Sequence, residues 1–128
     1  MTIPFDIVGF DLDGTLLDTS RDLGVALNHA LGTIGRPEVP YEEVRNLIGG
    51  GTYPLKPDPA ALHAMVKQCG GGRAAFVGDT TFDTRAAQAA AMPCVAVSFG
   101  FVDAPLHELG ADAVIDHFDE LARTLRTL

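Results

Sequence analysis

The stretch from Phe5 to Asp18 reads FDIVGFDLDGTLLD, an apolar run leading directly into two carboxylates, a glycine and a threonine. Ile7, Val8 and Phe10 make a near-continuous apolar segment, the pattern of a parallel strand covered on both faces. The pattern predicts a strand over residues 4–10. Asp11 then falls at its C-terminal end, where open α/β sheets bind their ligands. Asp11 and Asp13, two residues apart at such a place, are costly unless a cation or a reaction uses them.

The rest of the chain alternates in the same sense. Helical spacing appears at Leu23, Leu27, Ala30, Leu31 and Ile34, with Thr19 or Ser20 as its cap and Gly32 or Gly35 as its stop. A short helix over 41–48 follows, halted by Gly49 to Gly51. Asp58 and Pro59 then open a helix whose buried face is Leu62, Met65, Val66 and Cys69. Apolar runs at 74–77, 94–98 and 113–115 read as three more strands, with helices over 83–91 and 118–128. Strands alternating with helices predict one α/β domain over residues 1–128, a doubly wound parallel sheet with about four recognisable strands.

Charge and composition narrow the partners. A net charge of −8 argues against a general nucleic-acid binder or a binder of anionic membranes. No apolar run approaches the ~20 residues of a membrane span. No basic segment precedes the first apolar run, so a signal peptide is not expected. Cys69 and Cys94 sit in apolar surroundings and read as buried, reduced thiols, which makes a cytoplasmic location the expectation. His29, His63, His107 and His117 are scattered, without metal-ligand spacing.

Three clusters carry the chemistry: DLDGT at 11–15, KPDP at 56–59 and GDTTFD at 78–83. Two end a strand and one opens a helix, so a parallel sheet can bring all three to one edge. Carboxylate oxygens suit Mg²⁺, a hard cation that keeps several waters and binds substrate phosphate. Lys56 supplies a compact positive charge. Backbone N–H groups of Leu12, Asp13 and Gly14 can cradle a phosphate. The set suits phosphoryl transfer to a carboxylate nucleophile.

These residues resemble the haloacid dehalogenase (HAD) superfamily and, within it, the phosphoglycolate phosphatase-like branch. The matching segments are FDLDGTLLDTSRDL at 10–23, VRNLIGGG at 44–51, LKPDPAAL at 55–62, FVGDTTFDTRAAQAAAMP at 76–93 and ELGADAVIDHFDEL at 108–121. The resemblance implies a HAD-like Rossmannoid core. It makes Asp11 the nucleophile that forms an aspartyl-phosphate. Asp13 becomes the general acid for the leaving alcohol and then the base for water. Lys56 neutralises Asp11 and the phosphoryl group. Asp11, Asp79 and the backbone carbonyl of Asp13 hold Mg²⁺, and Asp83 supports the site from behind. The superfamily's ion pumps carry threonine at the position of Asp13, so the aspartate implies a phosphatase or a mutase.

The resemblance also shows what is missing. The family's second motif, a serine or threonine ending a second strand, has no counterpart between Leu17 and Lys56. Residues 18–51 retain the start of a helical cap insertion, and VRNLIGGG runs almost directly into TYPLKPDP. The economical reading is an internal deletion near residues 49–52. Thr52 and Ser98 are the nearest hydroxyls, and neither sits in the second motif's context. In the family's sheet the first strand lies between the absent strand and the strand carrying Asp79. Its exposed edge would then favour a homodimer or a swapped assembly.

The expected function is a Mg²⁺-dependent phosphomonoester hydrolase acting on a small phosphorylated metabolite, with 2-phosphoglycolate as the branch's default and a mutase left open. The alternative is a cap-deleted remnant that binds Mg²⁺ and phosphate, or assembles, with little or no turnover. A receiver-like domain phosphorylated on Asp11 is a third reading, and Asp13, poised to activate water, argues against it.

Overall fold

The computed structural model describes residues 3–11, 15, 25, 28–29, 32–33, 35–38, 40 and 55–128. Four strands, β1 (Ile7–Phe10), β2 (Ala74–Gly78), β3 (Cys94–Val97) and β4 (Ala113–Ile115), form one parallel sheet in sequential order. Val8 lies opposite Ala75, Val77 opposite Val95, and Val97 opposite Ile115.

Side chains alternate across the sheet, and each face has its own core. On one face Ala74, Phe76 and Cys94 meet α1 (Ala60–Gln68) and α2 (Thr81–Ala89) through Leu62, Ala86 and Ala87. The small alanines of α2 let its backbone approach the strands. On the other face Phe5, Ala75, Val77, Val95, Val97 and Ile115 pack with Leu125 of α3 (Leu121–Leu125). Each fully buried valine or leucine stabilises the fold by about 1.5–3 kcal/mol. With helices on both faces, the sheet is the doubly wound α/β core that the alternation of elements predicts.

Several expectations need correction. The first strand covers Ile7–Phe10, not 4–10, and it is only partly buried, with Ile7 packing on one core and Val8 on the other. Ile7 and Val8 are half-buried and Phe10 is 36% exposed. The physical reason is its position: among the described residues β1 is the outermost strand, with β2 as its one strand neighbour, so fewer side chains cover it. Cys69 is exposed rather than buried. Helix α1 ends at Gln68, so Cys69 is the capping residue and turns away from the buried face of Leu62. Cys94 is fully buried, and burial, followed by the charges of Asp83 and Asp112, pushes its thiol up to about 12. The helix expected over 83–91 starts earlier, at Thr81, behind Thr80 as its cap. The closing helix is shorter than 118–128. It comprises a 3-10 turn at Phe118–Glu120, capped by the His117 side chain, and then α3.

In the expected helix around residues 23–34, Val25, Asn28, His29, Gly32 and Thr33 are helical. Gly35, with φ of 70°, takes the left-handed conformation that ends helices, which decides between the two candidate stops. The candidate caps Thr19 and Ser20, the helix over 41–48 and the junction at 49–52 lie outside the described residues. No helix among the described residues is long and apolar enough to cross a membrane.

Candidate active site

The site lies beyond the C-terminal ends of β1 and β2. The Asp11 N–H donates to Val77 O at 2.9 Å, carrying the parallel ladder one residue past β1. Asp11 is thereby held beside the end of β2, where Asp79 follows Gly78. Lys56 arrives from the segment leading into α1, and Asp83 from the first turn of α2. Described residues from each of the three sequence clusters, Asp11, Lys56, Asp79 and Asp83, therefore meet at one sheet edge.

Lys56 joins them. Its Nζ donates to Asp11 Oδ1 at 2.8 Å and also to Asp83 Oδ1. The other oxygen of Asp83 accepts from the Asp79 N–H at 3.0 Å, the Thr80 N–H at 3.2 Å and the Thr80 hydroxyl at 3.2 Å. Asp83 is 0% exposed, so these donors replace its hydration. The close approach requires Gly78: a Cβ there would come within 2.6 Å of Asp83 Oδ2 and nearer still to its Cβ. Asp79, 1% exposed, has one oxygen fixed by the Phe101 N–H at 2.7 Å.

The electrostatics show a site short of positive charge. Burial, then the charge of Asp83, raise the Asp11 pKa, and Lys56 opposes them. Burial pushes Asp79 up to about 7; the Phe101 N–H opposes the shift, while Asp83 and Asp11 add to it. Burial alone would lower the Lys56 pKa, but Asp83 and Asp11 outweigh it and the net shift is upward. One carboxylate oxygen each from Asp11, Asp79 and Asp83 lie within 4.8 Å of one another. A donor set of hard carboxylate oxygens around an undercompensated negative charge fits a divalent cation.

Asp11, Lys56, Asp79 and Asp83 are thus brought together. Leu12, Asp13 and Gly14 lie outside the described residues, as do Thr52 and the flap residues Asp18 and Ser20. Ser98 is not a second-motif substitute: it lies in the turn after β3, and its hydroxyl donates to Asp116 Oδ1 at 2.6 Å. Thr15 is buried, and its hydroxyl has no hydrogen-bond partner among the described residues. GDTTFD at 78–83 contains Gly78 and Thr80 but does not by itself assign them roles, and Phe101 lies outside every cluster. Thr80 and Asp83 carry the Thr-x-x-acid spacing of a helix start, which could have located α2 correctly. The Phe101 contact uses a backbone amide and leaves no signal in residue identity.

Parallel strands that deliver a lysine-bridged group of aspartates to one edge define a Rossmann-like α/β ligand site. Residues 55–121, over half of the chain, match the family model described as HAD-hydrolase-like, and the chain belongs to that family. Curated relatives carry the name phosphoglycolate phosphatase. One, from Pseudomonas savastanoi pv. phaseolicola, is 44% identical over 81 residues, which is 60% of this chain and 30% of the relative. Another, from Agrobacterium fabrum, is 24% identical over 210 residues, covering 91% of this chain and 90% of the relative. That aligned length exceeds the 128 residues of the chain. The chain spans 51% of the length of one curated relative and 30% of others.

Solved structures agree on the fold. A HAD-superfamily hydrolase of subfamily IA from Geobacter sulfurreducens PCA superposes with a TM-score of 0.63 at 18% identity, over 92% of this chain and 98% of that one. A structure described as a predicted phosphoglycolate phosphatase, from Haemophilus somnus 129PT, gives 0.72 at 17% identity, over 97% and 99%.

Proposed function

We propose that the chain is a phosphomonoester hydrolase of the phosphoglycolate phosphatase type, acting through an aspartyl-phosphate on Asp11 with Mg²⁺ as its cation. The observation that carries this reading is the placement of Lys56 Nζ between Asp11 and Asp83, with Asp79 completing the carboxylate group. Asp11, Asp79 and the backbone carbonyl of Asp13 would hold the ion, which would offset the negative charge of carboxylates and phosphoryl oxygens. Asp11 attacks phosphorus and the bond to the leaving alkoxide breaks. Asp13 gives that alkoxide a proton. It then takes one from the water that attacks the aspartyl-phosphate, and inorganic phosphate leaves. Lys56 holds Asp11 in place and balances its charge, and Asp83 holds Lys56.

The substrate class is a small phosphorylated metabolite, and the names of the relatives favour 2-phosphoglycolate. A cytoplasmic setting goes with two free thiols. The aligned length against the Agrobacterium relative supports an internal deletion, for which the junction at residues 49–52 is our candidate. Incubation of the chain with 2-phosphoglycolate and a panel of sugar phosphates tests the reading. Mg²⁺-dependent phosphate release from 2-phosphoglycolate is the expected result. Release from none of them, by folded protein, would overturn it.

A further inference from the structure

We infer that Asp103 is a positioning residue for the cation site, acting at a distance through the loop that follows β3; this rests on the phosphatase reading for its purpose but not for its test. Among the described residues, Asp79 Oδ2 accepts from one backbone donor, the Phe101 N–H, at 2.7 Å. That amide belongs to an irregular segment, and anchors on both sides of it help to hold it in place. On its N-terminal side the Ser98 hydroxyl bonds to Asp116, and Phe99 packs edge-on against Phe118 with ring centroids 5.2 Å apart. On its C-terminal side the anchor is Asp103. Its Oδ1 accepts from the Thr81 N–H at 2.8 Å and its Oδ2 from the Thr81 hydroxyl at 2.7 Å.

Thr81 is the first residue of α2, the helix that carries Asp83. The two carboxylates of the site are therefore linked by two routes. One is direct, from the Asp79 N–H to Asp83. The other runs from Asp83 along α2 to Thr81, across to Asp103, and back through Phe101 to the Asp79 carboxylate. Asp103 closes this second route with both of its oxygens. An anionic side chain at a helix N-terminus is favourable in its own right, because it accepts from N–H groups that have no partner within the helix. A cap alone would stabilise α2 and leave Asp79 unaffected. The loop geometry couples the two: freeing Asp103 releases the chain two residues beyond the amide that sets the Asp79 rotamer.

Partners that orient metal-binding side chains typically contribute 10–100-fold to metal affinity. Asp103 acts one step further out, so about 10-fold is expected. The test compares wild type with Asp103→Ala and with Thr81→Val, which keeps the backbone donor and loses the hydroxyl. Hydrogen exchange of the Phe101 amide is measured without metal, and Mg²⁺ affinity by calorimetry without substrate. The expected result is about 10-fold faster exchange at Phe101 in Asp103→Ala, with Val77 unchanged, and about 10-fold weaker Mg²⁺ binding. Thr81→Val should fall between, and excess Mg²⁺ should restore kcat. Unchanged Phe101 exchange and Mg²⁺ affinity in folded Asp103→Ala would make Asp103 a helix cap only and overturn the inference, as would wild type that binds no Mg²⁺. If Asp103→Ala does not fold, Thr81→Val alone decides by the same two measurements. Wild type that binds Mg²⁺ but hydrolyses nothing would sink the phosphatase reading and leave this one standing.

Discussion

Lys56 and Asp11 are 45 residues apart in sequence, and the Lys56 ammonium lies 2.8 Å from the Asp11 carboxylate. The lysine also meets Asp83, so one cation serves two anions, one of them fully buried. Replacing it with alanine leaves Asp83 short of a partner. We predict that Lys56→Ala loses about 1–3 kcal/mol of stability, the cost of an unsatisfied buried polar group. It should also lower kcat by about 10²–10³-fold, as expected when one stabilising donor is removed. Thermal melts and steady-state kinetics check both. Lys56→Arg should not restore activity, because a planar fork cannot replace a compact charge between two carboxylates.

Gly78 makes the approach of Asp83 to β2 sterically allowed. Gly78→Ala should push Asp83 away, since neither β2 nor the first turn of α2 can yield cheaply. Overpacking of this kind costs about 1–3 kcal/mol. A displacement near 1 Å at the site would lower kcat/KM by about 10²-fold. A melt combined with kinetics separates the two effects. Wild-type kcat/KM in this variant would mean that the position of Asp83 is not critical.

The pH dependence follows from Asp79, raised to about 7 from an ordinary 3.8, chiefly by burial. Between those values the metal-free folded state holds a proton that the unfolded state has released. Stability therefore falls as pH rises across that window, and the loss is complete above about 7. Asp11, also raised by burial first, shifts the balance in the same direction. Metal-free protein should melt higher at pH 5 than at pH 8. Mg²⁺ should raise the melting temperature at pH 8 and much less at pH 5, because binding must displace the proton. Melts in chelator and in Mg²⁺ at both pH values test this. Equal Mg²⁺ stabilisation at the two pH values would contradict it.

The outer edge of β1, unpaired among the described residues, carries the proposal that the chain associates with a second copy. Phe10 is exposed, and among the described residues no strand pairs the outer edge of β1. Such edges template pairing unless they are covered or charged. Light scattering at high concentration should show a dimer or larger species, and Phe10→Lys should shift it towards monomer. A clean monomer for the wild type would count against this.

How much of this could be read from residues alone depends on the kind of contact. Asp11 and Asp79 were legible because each follows an apolar run that ends at the same sheet edge. Lys56 was legible because KPDP opens a helix in a chain whose other clusters already pointed there. The missing second strand before Lys56 falls on residues outside the described ones. Cys69 was misread because a helix one residue shorter than its apolar spacing turns that side chain out. The Thr80–Asp83 cap starts α2 at Thr81, two residues ahead of the apolar spacing that marks the helix in the sequence. The Phe101 amide and its anchor at Asp103 could not be read, since backbone donors and loop closures across 22 residues carry no local pattern.

A nucleophilic Asp11 makes one substitution decisive. Asp11→Asn keeps the shape of the side chain and a hydrogen-bond acceptor for Lys56, while removing the attacking carboxylate. Its rate of p-nitrophenyl phosphate hydrolysis with saturating Mg²⁺, measured beside wild type and with circular dichroism confirming the fold, is the most direct test. A loss of about 10⁴-fold or more is expected, as for a removed nucleophile. Hydrolysis by folded Asp11→Asn at the wild-type rate would contradict it.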